Sequence, residues 1–172
     1  MICLFFDTSS DLLKVSLIKD DKIIFDKELH TKNDHSSYLV PTIDEAFKSN
    51  NIDFKELDEI IVGNGPGSFT GVRTGVTVAK TLGYLLNVPI KTVSYLDIMD
   101  YSLDSNENLV GFYDNSGIFV GKYLNHMLTG NYEYIRKSEL NLNGLSNLKT
   151  DVTIDYSKIF NLISNHPNID PK

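Results

Sequence analysis

The chain has 172 residues, with 16 Lys and Arg against 23 Asp and Glu, giving a net charge of −7. That length can bury a core as one large or two small lobes, and an acidic chain with two arginines lacks the basic patch of a protein that grips nucleic acid unaided. A single cysteine, Cys3, excludes an intrachain disulfide and a cysteine-based zinc site; with no signal-peptide pattern and no membrane-length apolar run, a soluble, cytoplasmic protein is expected.

Residues 1–6 form an apolar run that predicts a strand ending in Asp7-Thr8-Ser9-Ser10. Val15, Leu17 and Ile18 build a second strand, and Asp20-Asp21 turns the chain into a third over residues 23–25. A triple-strand opening with a polar loop after its first strand resembles the actin, Hsp70 and sugar-kinase fold, where that loop faces nucleotide phosphate. Asp7 then reads in two ways. It is a metal-linked acid, or it caps a turn with Thr8 and Ser9 through side-chain-to-backbone hydrogen bonds. The lack of a partner acid or lysine favours the cap.

Residues 35–49 suit a helix, with Leu39, Val40, Ile43, Ala46 and Phe47 on one face. Pro41 requires that helix to begin close before it, near Ser36 or Ser37. His30 and His35 are five apart and miss the i,i+4 spacing of a metal pair on one helix. His35 is expected at the surface or in a cap.

Ile60, Ile61 and Val62 are a β-branched run that predicts a buried strand over residues 57–63. Residues 63–75 then read GNGPGSFTGVRTG, holding five of the eleven glycines in the chain. A helix over 69–87 follows, and the stretch is a strand–turn–helix junction. Glycine permits close backbone approach there, Pro66 pushes Gly65 toward extended conformations, and Ser68 or Thr70 caps the helix. A phosphate cradle is one reading, since free N–H groups at a helix start attract anions. Neither G-x-x-x-x-G-K-[ST] nor G-x-G-x-x-G is present, so a structural turn is favoured.

Gly71, Gly75, Ala79 and Gly83 recur every four residues, a ridge almost without side chains. Each helical glycine costs about 1 kcal/mol relative to alanine, so three of them imply a closely packed neighbouring backbone. Arg73, Thr77, Lys80 and Tyr84 form a separate amphipathic stripe.

Pro89 closes this helix, and a strand over 89–94 and a helix over 94–104 complete an α/β lobe, residues 1–104. Ser105-Asn106-Glu107-Asn108 reads as a connection into a reduced second lobe, 105–172. Strands are expected at 110–113, 118–123, 132–135 and 152–154, with a short closing helix around Ile159, Phe160, Leu162 and Ile163. There is no G-x-S-x-G elbow and no Cys/His cluster. No nucleophile, base and electrostatic stabiliser can be assembled in one place, so no catalytic or metal-binding residue is assigned.

The run G-P-G-S-F-T-G-x-R-x-G, here Gly65, Pro66, Gly67, Ser68, Phe69, Thr70, Gly71, Arg73 and Gly75, followed by VAKTLG and with MICLFFDTSS opening the chain, resembles the bacterial TsaB (YeaZ) family. The similarity covers about residues 1–100 and includes the HSSYLVPTI segment. It implies an α/β fold of the actin/Hsp70-like (ASKHA, ribonuclease H-like) type, in two lobes, the C-terminal one shortened. It also implies a pseudo-enzyme without cofactor, the scaffold and activator of TsaD, acting with the ATPase TsaE. Together these make N6-threonylcarbamoyladenosine at position 37 of tRNAs reading ANN codons, from threonylcarbamoyl-adenylate, and tRNA is met only through the partners. Pairing would use helices 36–49 and 69–87, with Tyr38, Leu39, Thr42, Arg73, Val76, Thr77, Lys80 and Tyr84 at the contact.

This sequence departs from the family where Asp-Ala-Arg is replaced by Asp114-Asn115-Ser116. Ser116 cannot supply the charge or the donor fork of an arginine. Two other readings stay open. One is a nucleotide-binding or kinase-like enzyme of the actin fold; the other is a homo-oligomer, a homodimer through the same helices.

Overall fold

The computed structural model describes residues 1–31, 34–140 and 145–158. The chain folds as two compact units that meet in sequence at Val93 and Ser94, so the helix expected at 94–104 belongs with the second unit. The closing helix expected around Ile159 lies outside the described residues.

In the first unit the sheet is built on β1 (Ile2–Asp7), buried along its whole length. β2 (Leu12–Lys19) and β3 (Lys22–His30) follow as antiparallel neighbours, and β4 (Glu59–Gly63) and β5 (Ile90–Val93) extend the other side in parallel, giving the order β3-β2-β1-β4-β5. Two-sided burial explains why β1 and β4 read as unbroken apolar runs rather than alternating ones. α1 (His35–Ser49) and α2 (Phe69–Leu86) pack beside each other and serve as crossovers into β4 and β5. Their core joins Leu4, Phe6, Val15, Leu39, Phe47 and Ala79. Fully burying a side chain such as Phe6 or Leu39 stabilises by about 1.5–3 kcal/mol.

α1 begins at His35, so Pro41 lies inside the helix rather than in its first turn. Pro41 removes one backbone donor, and its ring faces solvent, where the freed carbonyl can be hydrated. His35 is not at the surface. It is buried, with Nδ1 2.8 Å from the Thr31 hydroxyl.

In the second unit α3 (Tyr95–Ser102) packs on a sheet of β6 (Glu107–Tyr113), β7 (Gly117–Leu124), β8 (Met127–Leu128) and β10 (Leu148–Lys149), with β9 (Glu133–Arg136) also pairing β7. Leu96, Met99, Val110 and Tyr123 form its core. Glu107 and Asn108, read as connection, are strand residues, because buried Asn108 donates to Asp100 at 2.7 Å and is anchored there. The strand expected at 152–154 does not form. Val152 and Ile154 pack against the core from an irregular segment, and the sheet position is taken by β10.

Ser94 and Asp97 form a capping box that starts α3. The Asp97 carboxylate also accepts the hydroxyls of Tyr123 and Tyr132 at 2.6 and 2.7 Å. Burial, reinforced by that carboxylate, pushes both phenols well above their ordinary range.

Candidate functional site

The glycine-rich turn takes its shape from the loop after β1. A side chain at Gly63 would run into the Asp7 carboxylate, and side chains at Gly67 and Gly71 would run into the carbonyl oxygens of Ser9 and Thr8. The Ser68 N–H donates to the Ser9 carbonyl at 2.7 Å, and the Thr8 hydroxyl donates to the Gly71 carbonyl at 2.7 Å. The glycines therefore admit this protein's own backbone. The Ser68 N–H, which a bound anion would use, is already satisfied internally, and this weighs against the phosphate-cradle reading.

Ser68 is the cap of α2, its Oγ accepting the Gly71 N–H at 3.2 Å, and Thr70 is not. Gly65 has φ +87° and is not extended; only a residue without a Cβ takes that conformation cheaply. Asp7 is buried, and its Oδ1 accepts the Ser9 N–H at 2.8 Å, which is the capping role. Among the described residues no group of three or more His, Cys, Asp or Glu side chains could hold a metal ion.

The ridge of Gly71, Gly75, Ala79 and Gly83 is the buried face of α2. Its neighbours are Thr8 along Gly71 and Gly75, and Ile90 at Gly83, so it closes on this chain and not on a partner helix. The opposite side of α2 is open. Tyr84 is 88% exposed and Phe69 74%. Arg73 lies over the Phe69 ring, 5.1 Å from its centroid, and Thr77 and Lys80 continue the row. A depression of about 360 Å³ lies along this row, lined by Phe69, Thr70, Arg73, Thr74, Thr77 and Val78.

On α1, Tyr38 is 49% exposed and Val40 55%. Leu39 and Thr42, expected at the contact, are buried beneath α1, because the helix turns that side to the sheet. Val76 is half-buried against the same core and offers a partner little. Tyr38, Arg73, Thr77, Lys80 and Tyr84 remain available. Sequence reasoning did not assign Val40, Phe69 or Leu85 to this surface, because an apolar residue in a helix reads first as core. The signal was helical phase: Phe69 lies one turn before Arg73 on the side away from the ridge. Such a face supplies aromatic area and two cations, which suits binding rather than acid–base chemistry.

The family described as TsaD, tRNA N6-adenosine threonylcarbamoyltransferase, matches residues 26–112, just over half of the chain. The tRNA threonylcarbamoyladenosine biosynthesis protein TsaB of Bacillus subtilis is 37% identical over 99 residues, 58% of this chain and 43% of that protein. TsaB of Haemophilus influenzae is 32% identical over 111 residues, covering 63% and 47%. The chain belongs to this family, as a TsaB (YeaZ) member. It spans less than half of the curated TsaB relatives it matches here. YeaZ of Pseudomonas aeruginosa superimposes with a TM-score of 0.80 at 18% identity, over 95% of this chain and 92% of that one, so the two share their fold.

Asp114-Asn115-Ser116 falls on the β6–β7 turn. Asp114 Oδ1 accepts the N–H groups of Ser116 and Gly117 at 2.8 and 2.7 Å, and the Tyr134 hydroxyl donates to it at 3.0 Å. The Ser116 N–H heads these contacts in holding the Asp114 carboxyl below the usual range. Among the described residues no helix is long and apolar enough to cross a membrane.

Proposed function

We propose that this chain is a non-catalytic subunit in N6-threonylcarbamoyladenosine formation at position 37 of tRNAs reading ANN codons. It pairs with TsaD, with TsaE in the same assembly, and meets tRNA only through those partners, in the cytoplasm. The names of its relatives support the pathway. The observation that carries the pairing is the two-sidedness of α2. Its glycine ridge is sealed against Thr8, while Phe69, Arg73, Lys80 and Tyr84 are exposed, as is Tyr38 on the neighbouring α1.

The non-catalytic reading has its own support. The loop a nucleotide phosphate would approach is tied by its own hydrogen bonds to the α2 start. A nucleotide-binding enzyme would instead keep those donors free.

Co-purification with TsaD of the same cell, followed by a tRNA-modification assay with and without this chain, tests the proposal. Stimulation of modification by a chain that binds no ATP–Mg²⁺ in calorimetry is the expected result. Absence of a TsaD complex, or tight ATP binding by the chain alone, would sink it.

A further inference from the structure

The exposed side of α2 differs in charge from the rest of the protein. The chain carries −7 overall, yet residues 69–86 include no carboxylate, and neither do residues 35–43 of α1 beside them. Two cations, Arg73 and Lys80, stand on that face, and among the described residues neither has a carboxylate partner. By contrast Lys27 and Lys48, near the far half of α1, are each paired at 2.7 Å. Arg73 spends its guanidinium over the Phe69 ring, at the rim of the depression on α2, where the Thr70 and Thr77 side chains also line the wall.

We propose that this face is built for a partner surface that is itself acidic, with a carboxylate side chain seated beside Arg73 in that depression. The proposal rests on the pairing reading above and adds the chemistry of the partner. A guanidinium already placed over an aromatic ring, 5.1 Å from its centroid, has lost part of its freedom before binding, and a carboxylate is its best planar acceptor. Lys80 lies about two turns along the helix, about 10 Å away, and so asks for a second acid rather than sharing the first.

The test uses the full chain and TsaD of the same cell. Affinity is measured by calorimetry at about 50 mM and about 500 mM salt, a range over which screening of exposed charges changes strongly. Wild type, Lys80→Arg and the double variant Arg73→Glu/Lys80→Glu are compared, with circular dichroism confirming that each is folded. Binding of wild type and Lys80→Arg should weaken with salt, and the double variant should bind about tenfold or more weakly at low salt. If TsaD binds all three equally and without regard to salt, the acidic-partner inference is wrong while the pairing stands. If TsaD binds none of them at either salt, the pairing itself is wrong and the inference falls with it.

Discussion

The hydroxyl of Thr8 donates to the carbonyl of Gly71 across 63 residues of sequence, at 2.7 Å. This contact ties the end of the first strand to the first turn of α2, and Gly71 has no room for a methyl group because the Thr8 carbonyl occupies it. Gly71→Ala should therefore overpack the junction and lower stability by about 1–3 kcal/mol. Gly75→Leu, which meets the Thr8 hydroxyl and Val62, should cost at least as much. Thermal melts of the free protein decide it; unchanged melting of Gly71→Ala would mean that the loop moves away freely.

Ser68 caps α2, its Oγ accepting the Gly71 N–H. Ser68→Ala should cost about 0.5–2 kcal/mol in folding and leave TsaD binding and tRNA modification close to wild type. Loss of modification by a folded, TsaD-bound variant would revive a catalytic serine.

Tyr84 makes no core contact to lose, being 88% exposed. Tyr84→Ala should change folding stability by no more than about 0.5 kcal/mol, as is usual for surface positions. In the complex it should cost about 2 kcal/mol or more if the ring is an anchor, since buried aromatics dominate such contacts. The pair of measurements is melting temperature and TsaD affinity. A variant that unfolds yet binds normally per folded molecule would misplace the interface.

Asp114 predicts an acid response. Its carboxyl is held below the ordinary range by the Ser116 N–H first. A lowered folded pKa means the native state binds fewer protons, so the contribution is present above the unfolded value of about 3.9 and fades as pH falls through the folded one. Asp114→Asn should remove that part of the acid dependence, flattening the melting curve against pH below about 5 relative to wild type. Equal acid slopes for the two proteins would remove Asp114 from the account.

Tyr123 and Tyr132 predict the opposite limb. Their phenols are raised, by burial first and then by the Asp97 charge. Raised groups stabilise fully below the unfolded value of about 10, and that contribution is lost as pH climbs above it. In an ultraviolet titration of the nine tyrosines, these two should ionise only as the fold gives way. Tyr123→Phe should remove one late-titrating phenol; smooth titration of all nine near pH 10, with the fold intact, would contradict the Asp97 cluster.

Local chemistry was legible in the sequence. Apolar and β-branched runs located β1, β4, β6, β7 and β9, and cap residues and glycine spacing located α2 and its ridge, because each depends on residues within a few positions of one another. Helical phase separated the ridge from the stripe of Arg73, Thr77, Lys80 and Tyr84 for the same reason. What met each face was decided only by tertiary structure. The ridge could have received a partner helix or the protein's own backbone, and the loop at Thr8 and Ser9, sixty residues away in the chain, settles it. Likewise Tyr38 and Leu39 are adjacent and both apolar enough for a contact, but α1 rolls Leu39 and Thr42 onto the sheet and leaves Tyr38 outside. His35 and the failed strand at 152–154 have the same cause. A periodic pattern says which side chains share a face, whereas burial depends on which face the rest of the chain covers, and that is a property of packing between distant segments.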